Sequence, residues 1–459
     1  MNEIFVFRSS LYILLSNFAL QLRMKMRPYI FLFMLTAALC MPVSSRSAIT
    51  ETTDTDSTRH WGAALSVMPG RALAIDEWQR KWQKGTRNWA ADLKLTRASL
   101  PTDSDAYASD YGYPTLSSSL RWSFNHGITT HKGIDFWGED ENALKEVGYD
   151  SRMGNIISLY GEFARPLVRN RHWEIDYTLD MGLGWSPYIY NKVDAIDNEL
   201  IGSHVLIFFG AGVHATYHFA HDWGLRMGLD FYHHSNGAID RPNKGANIIA
   251  PSMGIVYQPY YEASAGQHNS REPFTAYWYL NFSASAGVKT LMEEWQQTQY
   301  YTSPDDEDYR TEDFEHYMAY AASADVMWRY ARRWATGLGF DVFYGDYNKR
   351  AKEINLQHGY DEPTSPWSAG IAAKHEAFYH RLSLNVSLGF YLYRKMGKWA
   401  KELETPYYER VGLNYSFPRL GGLKIGINVK AHKTKADLTE LLISYPATIF
   451  TKKNRKKHQ

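Results

Sequence analysis

From Trp173 to Trp185 the chain alternates without a break: Trp173, Ile175, Tyr177, Leu179, Met181, Leu183 and Trp185 are interleaved with Glu174, Asp176, Thr178, Asp180, Gly182 and Gly184. Side chains of extended backbone point to opposite faces in turn, so this segment is a strand with one apolar face and one polar or small face. A soluble sandwich also alternates, and one strand decides little. Repetition decides more. Val205, Ile207, Phe209, Ala211, Val213 and Ala215 follow the same period, as do Trp278, Leu280, Phe282, Ala284, Ala286 and Val288. Leu382, Leu384, Val386, Leu388, Phe390 and Leu392 alternate with Ser383, Asn385, Ser387, Gly389 and Tyr391. Strands of about 10 residues with Tyr and Trp near their ends match a tilted crossing of a bilayer and exceed the usual ~5–6 residues of soluble strands. The pattern predicts an all-β fold, a transmembrane antiparallel β-barrel.

Composition supports a barrel and excludes a helical membrane protein. Aromatic residues make up 15% of the 459, with 33 Tyr and 15 Trp, enough for two girdles at the membrane–water boundaries. Mean hydropathy is nevertheless −0.44, and after about residue 50 no apolar run approaches the ~18 residues of a spanning helix. A barrel tolerates this because only alternate residues face lipid. The net charge of +1 gives no long-range attraction to nucleic acid.

The alternation yields about eight strands between residues 60 and 260 and about eight more between 275 and 446. Gly224-Leu-Arg-Met-Gly-Leu-Asp-Phe-Tyr-His-His234 aligns with Gly422-Leu-Lys-Ile-Gly-Ile-Asn-Val-Lys-Ala-His432, each the penultimate strand of its half, so the halves read as a duplication. One barrel of about sixteen strands is the favoured reading, and two eight-stranded barrels the alternative. The predicted organisation is a signal-peptide region at 1–48, a first repeat at 49–261, a linker at 262–273, a second repeat at 274–450 and a basic tail at 451–459. Met24-Lys25-Met26-Arg27 forms the positive start of the signal, Tyr29 to Met41 its apolar centre, and Val43-Ser44-Ser45 the small residues before cleavage near 45–48. The alternative is a single uncleaved anchor. Residues 1–23 are a weaker apolar stretch that places the start at Met24 or Met26. The one cysteine, Cys40, lies within the apolar centre after Leu39, where a lipoprotein signal would want a small residue, so the mature chain has no thiol chemistry.

The chemistry-bearing segment is Phe231-Tyr-His-His-Ser-Asn-Gly-Ala-Ile-Asp-Arg-Pro-Asn-Lys-Gly-Ala-Asn247. A bare His-x-Ser is uninformative, since His268-Asn-Ser270 is another. Position gives this one meaning. Leu225, Met227, Leu229 and Phe231 form a lipid-facing row that His233 and Ser235 continue by period two, placing a base and a hydroxyl together at the membrane's edge. With a periplasmic N-terminus and this strand the seventh, that edge is extracellular. Serine made nucleophilic by an imidazole needs a third group to fix the ring's tautomer and orientation. Asn247, at the start of the next strand, is placed for this across the hairpin, with Asp240 in the loop as a carboxylate alternative. Backbone N–H groups at Asn236 and Gly237, or the side chains of Asn236 and Asn243, are candidate oxyanion donors. The alternative treats His-Ser-Asn-Gly and Pro-Asn-Lys-Gly as turn chemistry closing a hairpin.

His233-x-Ser235-Asn236-Gly237 followed by Pro242-Asn243-x-Gly245-x-Asn247 resembles the lipid A 3-O-deacylase and acyloxyacyl hydrolase family of outer-membrane barrels, especially its longer duplicated members from Bacteroidetes-like bacteria. Leu388-Gly-Phe-Tyr-Leu-Tyr-Arg394, Tyr408-Glu-Arg-Val-Gly412 and Lys430-Ala-His-Lys-Thr-Lys-Ala-Asp437 extend the likeness into the second half. The resemblance implies a serine esterase of the Gram-negative outer membrane that removes a fatty acyl chain from lipid A of lipopolysaccharide in the outer leaflet. His233 would be the base and Ser235 the nucleophile, with no cofactor or metal. The family's third member is a glutamate, where this chain has Asn247. Outer-membrane phospholipase A is also similar here, with His-x-Ser-Asn-Gly followed by an asparagine at the same spacing, but its Ser-Arg-Ser-Trp run is absent and its calcium-dependent dimer site has no counterpart. The alternatives are therefore an outer-leaflet phospholipase, and a barrel with a structural or transport role and no catalysis.

Overall fold

The computed structural model describes residues 60–133, 147–264, 273–398 and 404–451. The signal-peptide region, the middle of the linker and the basic tail beyond 451 lie outside them. Among the described residues no helix is long and apolar enough to cross a membrane.

The first half contains β1 (Trp61–Leu73), β2 (Gln83–Ala98), β3 (Thr115–Thr130), the two-residue β4 (Ser151–Arg152), β5 (Ile156–Arg169), β6 (Trp173–Trp185), β7 (Val205–His218), β8 (Trp223–Ser235) and β9 (Ala246–Tyr257). Its eight long strands pair with their neighbours in chain order, and β9 returns antiparallel to β1, with Val67 opposite Met253, so the ring closes. The second half contains β10 (Tyr277–Lys289), β11 (Tyr317–Ala331), β12 (Trp334–Gly345), β13 (Thr364–Tyr379), β14 (Leu382–Met396), β15 (Tyr407–Phe417), β16 (Leu423–His432) and β17 (Lys435–Thr451). It closes through β10 and β17, with Phe282 opposite Tyr445.

The protein is thus two eight-stranded antiparallel barrels, and the favoured single barrel of about sixteen strands is corrected. One large barrel would have to pair β9 with β10 and β17 with β1. An even number of up-and-down strands in each half lets first and last strand pair antiparallel, which removes both edges without help from the other half.

The alternation is realised as inside and outside. On β8, Met227 and Leu229 are exposed on the outer wall, whereas Asp230, Tyr232 and His234 are buried in the interior. That interior is polar and paired: Arg226 forks onto Asp176 at 2.6 and 2.7 Å, and Arg121 reaches Asp92 at 2.8 Å. Exposed aromatics mark one boundary, with Trp173 against Tyr217 (centroids 4.9 Å) and Trp223 against Tyr257 (5.1 Å). At this end β5–β6 and β7–β8 are joined by the tight turns 170–172 and 219–222 and β2–β3 by the longer 99–114, while the opposite end carries the connections 186–204 and 236–245. The second barrel has tight turns at 332–333 and 380–381, against the connections 290–316 and 346–363.

Candidate active site

β8, the seventh long strand of its barrel, ends at Ser235 on the long-loop side. The antiparallel register sets His233 directly opposite Asn247 of β9, a pairing that brings Cβ atoms within about 5 Å. Across it His233 Nδ1 lies 2.8 Å from Asn247 Oδ1. An acceptor oxygen there selects the Nδ1–H tautomer and leaves Nε2 with its lone pair, the form a general base requires. The ring leans on Phe209 of β7, its register partner, at 4.7 Å between centroids. Phe209 is 42% exposed on the outer wall, so the imidazole sits on the apolar outside of the barrel. Gly245 (φ +74°) makes room for it: a Cβ at that position would lie 2.5 Å from His233 Cε1.

Ser235 follows on the same face, opposite Ile207 and largely covered, at 8% exposure. Among the described residues its hydroxyl forms no hydrogen bond with His233. Nucleophile–base contacts in unliganded sites are commonly long and tighten around substrate.

The loop after Ser235 distributes its polar groups unequally. The Asn236 N–H donates to Asn243 Oδ1 at 2.8 Å, which spends that amide proton and occupies only the oxygen of the Asn243 amide. Asn236 Oδ1 accepts from the Ala238 N–H at 3.1 Å. Asn236 Nδ2, on the residue that follows Ser235, is buried without a partner. Asp240 accepts from the Arg241 N–H at 2.8 Å, whereas the acceptor on His233 is Asn247.

His234 points the other way. Buried in the first barrel's interior, its Nε2 lies 2.8 Å from Ser158 Oγ and its ring packs between Phe208 and Tyr232. Ser158 on β5 could not be matched to it from the sequence, because barrel closure rather than local pattern brings them together.

The corresponding end of β16 has Ala431 and, in the turn beyond it, Lys433, neither a base–nucleophile pair. Its inward His432 lies 2.9 Å from Tyr391 OH. Glu404, His432 and Asp437 are close enough together to hold a cation. However, Arg394 pairs with Glu404, and Lys289 and Lys430 pair with Asp437, so these carboxylates already have cations beside them.

Residues 112–256, which contain the whole constellation, match the family model of lipid A 3-O-deacylase. Residues 276–448 match the acyloxyacyl hydrolase C-terminal domain. The chain belongs to the lipid A 3-O-deacylase and acyloxyacyl hydrolase family. The first deacylase barrel carries the candidate site and the second does not. A search among curated proteins found no match. Similar solved structures include an outer-membrane channel from Pseudomonas putida F1, at 9% identity, 87% of this chain, 100% of the channel and a TM-score of 0.19. A mutant porin of Rhodopseudomonas blastica matches at 6% identity, 84% of this chain, 99% of the porin and a TM-score of 0.14. Scores this low carry no argument, and the fold rests on the strand pairing above. Family and fold together point to an outer-membrane β-barrel with a lipid A deacylase role.

Proposed function

We propose that the protein is a serine esterase of the Gram-negative outer membrane that removes a fatty acyl chain from lipid A. The observation that carries this reading is the His233–Asn247 hydrogen bond on the outer wall, next to Ser235 and within the deacylase-matched segment. A soluble hydrolase draws its substrate into a cleft. Here the base and hydroxyl face the bilayer, where an ester already lies. In this reading the end that carries the site is the extracellular one, where barrels of this kind have their longer loops, and the substrate is the lipopolysaccharide of the outer leaflet.

In this mechanism Ser235 Oγ attacks the ester carbonyl while His233 Nε2 takes its proton. The Asn247 oxygen keeps Nδ1–H directed away from the reaction, and Asn236 Nδ2 donates to the oxyanion of the tetrahedral intermediate. Collapse breaks the bond to the sugar oxygen, which receives the proton from His233, and water then hydrolyses the acyl-serine with His233 again as base.

An orienting amide in place of a carboxylate also favours a second reading, outer-leaflet phospholipase. One experiment separates them: mass spectrometry of lipid A and phospholipids from cells producing the wild-type chain or Ser235→Ala. Lipid A lighter by one acyl group, in wild type alone, is the expected result. Lysophospholipid with intact lipid A would establish the second reading, and no change in either lipid would leave a non-catalytic barrel.

A further inference from the structure

The second barrel contacts the loop that carries the candidate oxyanion donor. Gly237 (φ +64°) and Ala238 (φ +67°) are both left-handed. For an alanine that conformation is disfavoured and persists where the surroundings over-determine it. The surroundings come from the other half of the chain. Thr439 Oγ1, on β17, donates to Gly237 O at 2.8 Å. The Thr290 N–H, immediately after β10, donates to Ala238 O at 3.0 Å, and Thr290 Oγ1 lies 3.3 Å from the same oxygen. Arg241, buried, returns a hydrogen bond from Nη2 to Thr290 O at 3.0 Å. The fit is close, since a Cβ on Gly237 would lie 2.0 Å from Thr439 Oγ1.

These bonds lead to one amide. Ala238 is held through its carbonyl by Thr290, and its N–H is given to Asn236 Oδ1. An N–H can bond only to the oxygen end of that amide, so its orientation is fixed and Nδ2 is left as the unpaired, buried donor. We infer that the second barrel is a clamp on the active-site loop, in which Thr439 and Thr290 are positioning residues that hold Asn236 in place to stabilise the oxyanion. This rests on the esterase reading above and gives the half without a nucleophile a part in the reaction. Thr439 and Thr290 touch no reacting atom. They act through residues 236–238.

The test uses the full-length protein, lipid A as substrate, and Ser235→Ala assayed alongside, with folding checked by heat-modifiable migration. Loss of one oxyanion donor costs about 10²–10³ in kcat, and a donor left in place but loosened costs less. Thr439→Val should lower kcat about tenfold with KM nearly unchanged, and Thr439→Ser, which keeps the donor, should retain most of the rate. Adding Thr439→Val to Asn236→Ala should cost little beyond Asn236→Ala alone, because the threonine acts through that amide. Wild-type kcat in folded Thr439→Val, or full additivity with Asn236→Ala, would overturn the clamp while leaving the esterase intact. If Thr439→Val does not fold, Thr290→Val carries the test. It should lower kcat by about threefold at unchanged KM, and a wild-type kcat there would overturn the proposal. Undiminished activity in Ser235→Ala would remove the esterase reading and the clamp with it.

Discussion

At the scale of single residues, the site depends on which face and which atom each side chain presents. His233→Ala and Ser235→Ala should each abolish deacylation in a folded barrel, and the double variant should be little worse than either because the groups act as a unit. Asn247→Ala should fall between wild type and these, since an orienting group contributes less than base or nucleophile. Asn247→Glu should preserve or raise the rate, because the register already holds residue 247 opposite His233. His234→Ala should leave the rate per folded molecule nearly unchanged while destabilising the barrel by about 2–4 kcal/mol, through the lost packing and the orphaned Ser158 hydroxyl. If His234→Ala stopped the reaction and His233→Ala spared it, the face assignment and the constellation would fall together. The shared face of His233 and Ser235 was legible in the sequence because period two is a property of extended backbone. The loss of the Asn236 backbone N–H as a candidate donor was not, since it depends on that N–H being taken by Asn243. Nor was Thr439, whose partner Gly237 is 202 positions away.

At the scale of elements, the hairpin that ends in the site is also held by the connection 186–204. The Lys244 and Gly245 N–H groups donate to Glu199 O and Leu200 O at 3.1 and 2.9 Å, just before Asn247. Side chains reinforce the same place. Glu199, buried, is shared by Lys132 and Lys244, and Arg310 from the second barrel reaches Asp197 at 2.6 Å. Burial alone would raise the Glu199 carboxyl, but the two ammonium groups outweigh it and hold it at about 2. Lys132 is pulled down to about 8 by its own burial and by Arg310, against the attraction of Glu199. The two directions agree once it is seen that Glu199 has two cationic partners while Lys132 also faces a like charge. Glu199 therefore contributes stability that is complete above its ordinary 4.5 and lost as pH falls toward 2. Lys132 acts at the other limb: between about 8 and its ordinary 10.5 the unfolded chain binds more protons, so its contribution to loop stability rises with pH there. Hydrogen-exchange protection across 186–204, taken relative to the intrinsic rate at each pH, should fall below about pH 4.5 in the wild type, and Glu199→Gln should flatten that acid limb. An unchanged acid limb in Glu199→Gln would show that this carboxylate is not its source.

At the scale of the whole molecule, the strands and their two-fold duplication were legible, but the number of barrels was not. Alternation tells which residues face lipid in either arrangement, and the difference lies only in whether β9 turns back to β1 or continues to β10. That is decided by long-range pairing, which leaves no local signature. Closure of each half has a functional consequence. A single large ring would have made both halves part of one wall, whereas two rings allow one to carry chemistry and the other to abut it. The equivalent of β8 in the second barrel is β16, and where β8 has His233 and Ser235 it offers Ala431 and Lys433, the latter exposed in a left-handed turn. Its inward histidine, His432, is buried and engaged by Tyr391. A lipid ester bearing a serine-reactive phosphonate should consequently label the protein once. Peptide mapping should place the adduct on the peptide containing Ser235, His233→Ala should slow labelling without moving it, and Ser235→Ala should abolish it. An adduct beyond residue 274 would mean that the second barrel holds a nucleophile of its own, and the division into a reactive barrel and a supporting one would have to be abandoned.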